Sequence, residues 1–248
     1  MCLGEIGYNN FGSKIEIIAY RKYNDIDVYF EEYDWIKYNT NYGYFKKGSI
    51  KCPYEPRVYG IGYIGEINNI DKVMYDYWHS MLRRCYDKTR IDKDKGRNLA
   101  YINSEVCKEW YNLQNFGKWY ENNFYQIEGE KMCLDKDILI KGNEIYSPET
   151  CIFVPQKINT LFCSSKSSRG SLPIGVTYEK RYDTYVARCN DGNKNTISLG
   201  SFNTPNEAFE KYKEYKECLI KSMADKYKLY IPKELYDAMY RYKVEIND

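Results

Sequence analysis

Two carboxylates, Asp135 and Asp137, flank Lys136 in the apolar run Met132–Ile140. A Gly142-Asn143 turn, a Tyr146-Ser147-Pro148-Glu149 cap, a second apolar run (Cys151–Val154) and a helical stretch (Gln156–Phe162) follow. Side chains at i and i+2 of a strand share a face, so the two carboxylates would sit together while Lys136 points to the other side. With Asn143 and Asn159 as further donors, they could hold Mg²⁺ or another divalent metal, phosphate oxygens completing its shell. Such an ion polarises a phosphodiester and acidifies bound water. The same alternation also describes the wet face of a sheet with no ligand role. Metal-assisted hydrolysis further needs a group that takes a proton near neutral pH. Lys136 cannot do this at its ordinary pKa. His79 is the single histidine of the chain. It falls on an amphipathic helical pattern, either as a displaced base or metal ligand or as an ordinary packed helix residue.

The strand, turn, strand, helix order belongs with three other segments: Val106-Cys107-Lys108-Glu109-Trp110, Asn115-Phe116-Gly117-Lys118-Trp119 and Tyr146-Ser147-Pro148-Glu149-Thr150-Cys151. In this order, over roughly Met74 to Asn159, they resemble the HNH-endonuclease-like proteins of phages and mobile elements. The resemblance implies a ββα-metal module. In its active members an Asp-His pair ends the first strand, the histidine serving as general base, and a later Asn or His on the helix helps hold the metal. Here that pair reads Asp135-Lys136 and the helix offers Gln156 and Asn159. The implied module is degenerate, with catalytic candidates Asp135, Asp137, Asn143 and Asn159 and metal candidates Asp135 and Asp137.

Beyond a polar linker, Cys163 to Gly170, three short runs read as strands: Pro173–Tyr178, Thr184–Cys189 and Asn195–Gly200. Lys180–Asp183 and Asn190–Asn193 form the turns between them. Thr204 then caps a long helix in which Ala208, Phe209, Tyr212, Tyr215, Leu219, Ile220 and Met223 recur at three and four. Gly175-Val176, Tyr185-x-Ala187, Leu199-Gly200-x-Phe202-x-Thr204 and Glu207-Ala208-x-x-x-Tyr212 resemble the ethylene-response-factor type of DNA-binding domain. The resemblance covers about Gly170 to Ala224 and implies a sheet that lies in the major groove with a helix behind it. Alternation then turns Tyr185, Ala187 and Cys189 toward the helix and Val186, Arg188 and Asn190 toward DNA, joined by Thr177, Glu179, Thr196 and Ser198. Arg188 and Asn190 have the chemistry to read base edges. Lys166, Arg169, Lys180, Arg181 and Lys194 would engage phosphates.

The rest of the chain sets the frame. Its 248 residues suggest two or three domains. With Lys+Arg 37 against Asp+Glu 35, any surface for nucleic acid must be local. Short alternating runs (Lys14–Tyr20, Asp25–Phe30) predict an N-terminal small β-barrel-like module or curled sheet over 1–66. The spacing of Ile70, Val73, Met74, Tyr77, Trp78, Met81 and Leu82 predicts a helix. Ser104 starts a second one, kinked at Asn115-Phe116-Gly117. The expected fold class is α+β and multidomain: the barrel-like module, a central HNH-like ββα module with its preceding helices (69–162), a three-stranded sheet plus helix (170–230) and a C-terminal helix (231–248). Nine scattered cysteines without a Cys-x-x-Cys pair point to reduced thiols, although Cys85, Cys107, Cys133 and Cys151 could form a non-local zinc site. No run approaches the length of a membrane span. These features favour a phage-type protein of a bacterial cytoplasm that binds double-stranded DNA and retains little or no nuclease activity. An active homing-type endonuclease and an inhibitor that binds a host protein are the competing readings.

Overall fold

The computed structural model describes residues 2–67, 69–87, 89, 101–163, 170–192 and 195–248. The fold is mixed α+β, and its contacts form two compact units: Met1–Arg90 with Val106–Tyr120, and Ile91–Glu105 with Glu121–Asp248.

In the first unit β1 (Ile6–Tyr8), β2 (Lys14–Lys22), β3 (Asp25–Phe30) and β4 (Trp35–Thr40) make an antiparallel meander in that order. Register pairs Ile15 with Phe30 and Ile17 with Val28, which puts the β-branched and aromatic residues of both strands on one buried face. The expected barrel does not form: the sheet stays open, with β1 and β4 at its edges. Its apolar face is covered by other means. The short helix α1 (Tyr42–Lys46) drops Phe45 onto it, and Ile50 and Cys52 complete the cluster. The buried Glu55 carboxylate ties the following loop down by accepting from Asn9, from Ser13 Oγ at 2.8 Å and from Arg57 at 2.7 Å.

Helix α2 (Lys72–Tyr86) starts where the Asp71 side chain accepts the Met74 N–H at 2.7 Å, and it buries Met74, Trp78, Met81, Leu82 and Cys85. The Trp78 indole donates to the Trp110 carbonyl at 2.7 Å, which satisfies a polar atom of a fully buried ring. The single second helix expected from Ser104 is instead a two-residue strand β5 (Glu105–Val106), a 3-10 turn (Lys108–Tyr111) and helix α3 (Leu113–Asn123). The break falls at Asn112, whose side chain accepts the Gln114 N–H at 2.9 Å and so starts the helix afresh. Across the expected kink at 115–117 the helix runs on, because Gly117 gives room to Met74, whose sulfur would lie 2.8 Å from an added Cβ.

In the second unit β6 (Met132–Asp135) pairs antiparallel with β8 (Ile152–Pro155), with the short strand β7 (Ile145–Tyr146) between them in sequence and helix α4 (Gln156–Phe162) after them. The strand expected to reach Ile140 ends at Asp135. A second antiparallel sheet holds β9 (Val176–Glu179), β10 (Thr184–Asn190) and β11 (Thr196–Phe202), with β10 central. Helix α5 (Pro205–Tyr227) opens with a complete capping box between Thr204 and Glu207 and a proline in its first turn. Its N-terminal half packs Ala208, Phe209 and Tyr212 under Val176, Ala187 and Cys189. Its C-terminal half belongs to a different core, in which Ile220, Ala224 and Tyr227 meet Ile138, Val154, Ile158 and Leu161. That core also contains Leu235 and Met239 of helix α6 (Lys233–Arg241). No helix among the described residues is long and apolar enough to cross a membrane.

Candidate functional site

The turn after β6 is built by Asp135. Its Oδ1 accepts the N–H groups of Asp137 at 2.9 Å and Ile138 at 2.8 Å, so the side chain replaces the strand ladder with a local turn. That ends the pleat, and with it the alternation that would have placed Lys136 opposite the carboxylates. Lys136 is buried, with 8% of its side chain exposed. Its ammonium reaches Asp137 Oδ2 at 3.0 Å and the Asn143 carbonyl at 2.8 Å. Asn143 returns the contact by donating to the carbonyls of Lys136 and Ile145, both at 2.7 Å. Asp135, Asp137 and Asn143 are therefore brought together, with Lys136 as the bolt between them. Burial, and then the charge of Asp137, push the Asp135 carboxyl up to about 6.

Asn159 lies half-buried on α4 and shares no hydrogen bond with those three; its carbonyl accepts from Cys163 Sγ at 3.5 Å. Mg²⁺ asks for near-octahedral oxygen ligands. Here one oxygen of Asp135 serves two amides and one of Asp137 serves an ammonium, and no group of three or more His, Cys, Asp or Glu is placed to hold a metal among the described residues. His79, in the other unit, is half-buried between the rings of Tyr59 and Tyr75, with its Nε2 3.3 Å from the Tyr59 hydroxyl.

The second candidate surface is the face of β9, β10 and β11 turned away from α5. Thr177, Arg188, Asn190, Thr196 and Ser198 are exposed there, while Tyr185, Ala187 and Cys189 face the helix. Val186 shares the outward side but is buried to 7% exposure. Register sets Arg188 opposite Ser198 and Asn190 opposite Thr196, and a bulge between Ala187 and Arg188 shifts the pairing by one residue. The extra residue on β11 keeps both Leu199 and Phe202 on the helix side, and Gly200 absorbs it at φ 130°. Arg188 and Lys180 have no carboxylate partner among the described residues. Arg181 lies over the Tyr182 ring at 5.2 Å. Asn190 is partly engaged, its Oδ1 accepting the Gly192 N–H at 2.8 Å. Lys166, Arg169 and Lys194 lie outside the described residues.

Lys216 is a residue that the sequence pattern hides. On α5 the buried positions Tyr212, Lys216, Ile220 and Ala224 follow at every fourth residue, so a lysine occupies the apolar stripe, and that mismatch is the signal. Lys216 is 8% exposed. Burial pulls its amine below the ordinary lysine value, opposed by the thiols of Cys189 and Cys163.

Compared with known protein families, with curated proteins and with solved structures, the chain matches none.

Proposed function

We propose that this protein binds double-stranded DNA through the outward face of β9, β10 and β11, and that its ββα module is an HNH-like scaffold without hydrolytic activity. The observation that carries the reading is the pairing of a supported sheet with an open one. One face is packed on α5, and the other presents a guanidinium, an amide and hydroxyls, with Arg188 free of any carboxylate among the described residues. A rigid sheet of this kind can enter a major groove, where an arginine or an asparagine discriminates bases by about 1–3 kcal/mol each. On this reading the module layout is an ethylene-response-factor-like reader joined to a retired nuclease.

Loss of hydrolysis follows from the chemistry at the turn. The side chain in the place of a general base is a buried ammonium held by Asp137 and the Asn143 carbonyl, and a protonated amine cannot take a proton from water. The test uses the intact chain on duplex DNA with Mg²⁺ or Mn²⁺. Binding that weakens with salt and with Arg188→Ala, without cleavage, is expected. Cleavage by the wild type that is lost in the Asp135→Ala/Asp137→Ala variant overturns the second half of the reading. Binding unchanged by a combined Arg181→Ala/Arg188→Ala variant at low salt overturns the first.

A further inference from the structure

An unpaired cation on the buried stripe of a helix has a thermodynamic cost with no visible return. Removing an ammonium from water without a counter-charge is unfavourable, and natural interiors avoid it unless the group is partnered. Lys216 makes no hydrogen bond and no ion pair among the described residues, yet it is more than nine-tenths buried. It stands on α5 where the core under the sheet gives way to the core around α4 and α6, with Tyr212 one turn before it and Ile220 one turn after.

Lys216 also faces open space. It lines a groove of about 1320 Å³ formed by α4, the segment 129–131 and the end of the sheet at 175–178 and 188–192. The groove is positively charged: Lys131, Lys157, Arg188 and Lys216 stand against one carboxylate, Glu130. That carboxylate is already engaged, accepting from Lys157 at 2.7 Å and from the Tyr227 hydroxyl at 2.8 Å. Neutral donors line the same walls, in Gln156, Thr177, Asn190 and Thr196. Tyr178, 47% exposed, offers a ring face at the rim.

We infer that this groove is a binding site for a phosphoryl group carried by a ligand of nucleotide size, with the Lys216 amine as its buried counter-charge. A phosphoryl group supplies the missing negative charge and several acceptor oxygens for the hydroxyl and amide donors. The volume leaves room for a sugar and base, and an aromatic rim suits a base because every base has a π face. The Lys216 side chain is more than nine-tenths buried, so the group that reaches its amine is a free or terminal phosphate and not the backbone of an intact duplex. The inference does not rest on duplex binding by the sheet face. Burial pulls the amine below the ordinary lysine value, and a bound phosphate would act in the opposite direction by favouring its charged form.

The test measures binding to the intact protein by calorimetry and thermal shift. The probes are inorganic phosphate, a nucleoside 5′-monophosphate, the matching nucleoside, and single-stranded oligonucleotides with and without a 5′-phosphate. Expected is a Tm that climbs with monophosphate concentration, and binding at least tenfold weaker for the nucleoside. Lys216→Met should fold, with a Tm above that of the wild type in the absence of ligand, and bind the monophosphate about 10- to 100-fold more weakly, as expected for loss of a charge-assisted bond. Lys216→Arg keeps the charge and should retain most of the affinity. Tighter binding of the 5′-phosphorylated strand than of the monophosphate identifies a strand end as the source, and the reverse order identifies a free nucleotide; either supports the site. Equal binding of nucleoside and monophosphate, or wild-type affinity in Lys216→Met, overturns it. Failure here leaves duplex binding intact, whereas failure of the duplex reading is seen with Ser198→Glu, a position on the sheet face that does not line the groove.

Discussion

The four-stranded and the three-stranded antiparallel sheets of this protein treat their charges differently. On the N-terminal sheet two of the cations are paired with carboxylates nearby, while Lys22 and Lys37 have no ion pair among the described residues. Arg21 binds Asp27 at 2.6 Å and Asp25 at 2.8 Å, Lys14 binds Glu31 at 2.7 Å, and Asp27 also accepts the Asn39 N–H at 2.9 Å. On the C-terminal sheet, Arg188 stands opposite a serine and Lys180 sits exposed in a turn, neither with a carboxylate among the described residues. Internal neutralisation marks a surface that is complete in itself. Charge left open on a well-supported sheet marks one that has somewhere else to spend it, and this contrast underlies the assignment of DNA binding to the second sheet.

The strongest way to test that contrast is to damage the first sheet. Phe30 is fully buried in its core, and Phe30→Ala should cost about 3–5 kcal/mol in denaturant unfolding. Duplex affinity measured below the unfolding transition should remain; its loss at full folding would place the DNA surface on the wrong sheet. The reverse manoeuvre supplies the C-terminal sheet with the partner it lacks. Ser198→Glu puts a carboxylate directly across from Arg188. It should weaken duplex binding by more than Arg188→Ala, because it neutralises the cation and also repels phosphate.

Arg188→Ala itself should weaken binding to a preferred sequence by about 1–3 kcal/mol and leave stability within about 0.5 kcal/mol, as for an ordinary surface change. Electrophoretic shifts and melting curves on the same samples separate the two. Arg21→Ala should show the mirror image, a small loss of stability and no change in binding; the guanidinium is 44% exposed and water screens its pairs.

The smallest effect is a titration. The hydrogen bond from Arg21, aided by the Asn39 N–H, holds Asp27 below the usual carboxylate pKa against the opposing effect of burial. A lowered folded pKa stabilises at pH above the unfolded value, about 3.9, and the gain vanishes as pH falls through the folded pKa. The stability difference between wild type and Asp27→Asn should therefore be constant near neutrality and shrink in acid. A difference that grows in acid would contradict the assigned pair.

Local signals in the sequence located much of this. Period-two runs gave β2, β3 and β10, Thr204 gave the start of α5, and the order of elements from β6 to α4 was readable. Three things were not, each for a physical reason. Alternation says that a strand has a wet and a dry face but not what covers the dry one, so a sheet capped by Phe45 and Ile50 reads like a barrel wall. Asp135 was read as a strand residue because nothing in its neighbours shows that its carboxylate would capture two amides. The periodicity of α5 is continuous, although Phe209 and Ile220 lie in separate cores and Lys216 stands between them. For the candidate sites, residue identities were legible and geometry was not: Asp137 and Asn143 do meet, but around a lysine, while Asn159 is bonded to none of them.

That lysine bears on how reversible the loss of chemistry would be. Lys136 closes its turn through the Asn143 carbonyl, and Asn143 closes it again through the Lys136 carbonyl, so the two positions now depend on each other. Lys136→His would install a side chain too short to span the same gap, and would leave a backbone carbonyl and Asp137 without their cation. On the proposed reading, introducing a histidine base by one codon should therefore loosen the loop before any activity can arise. Compensating changes at 137 and 143 would have to come first, and such a dependence on order would act as an evolutionary ratchet.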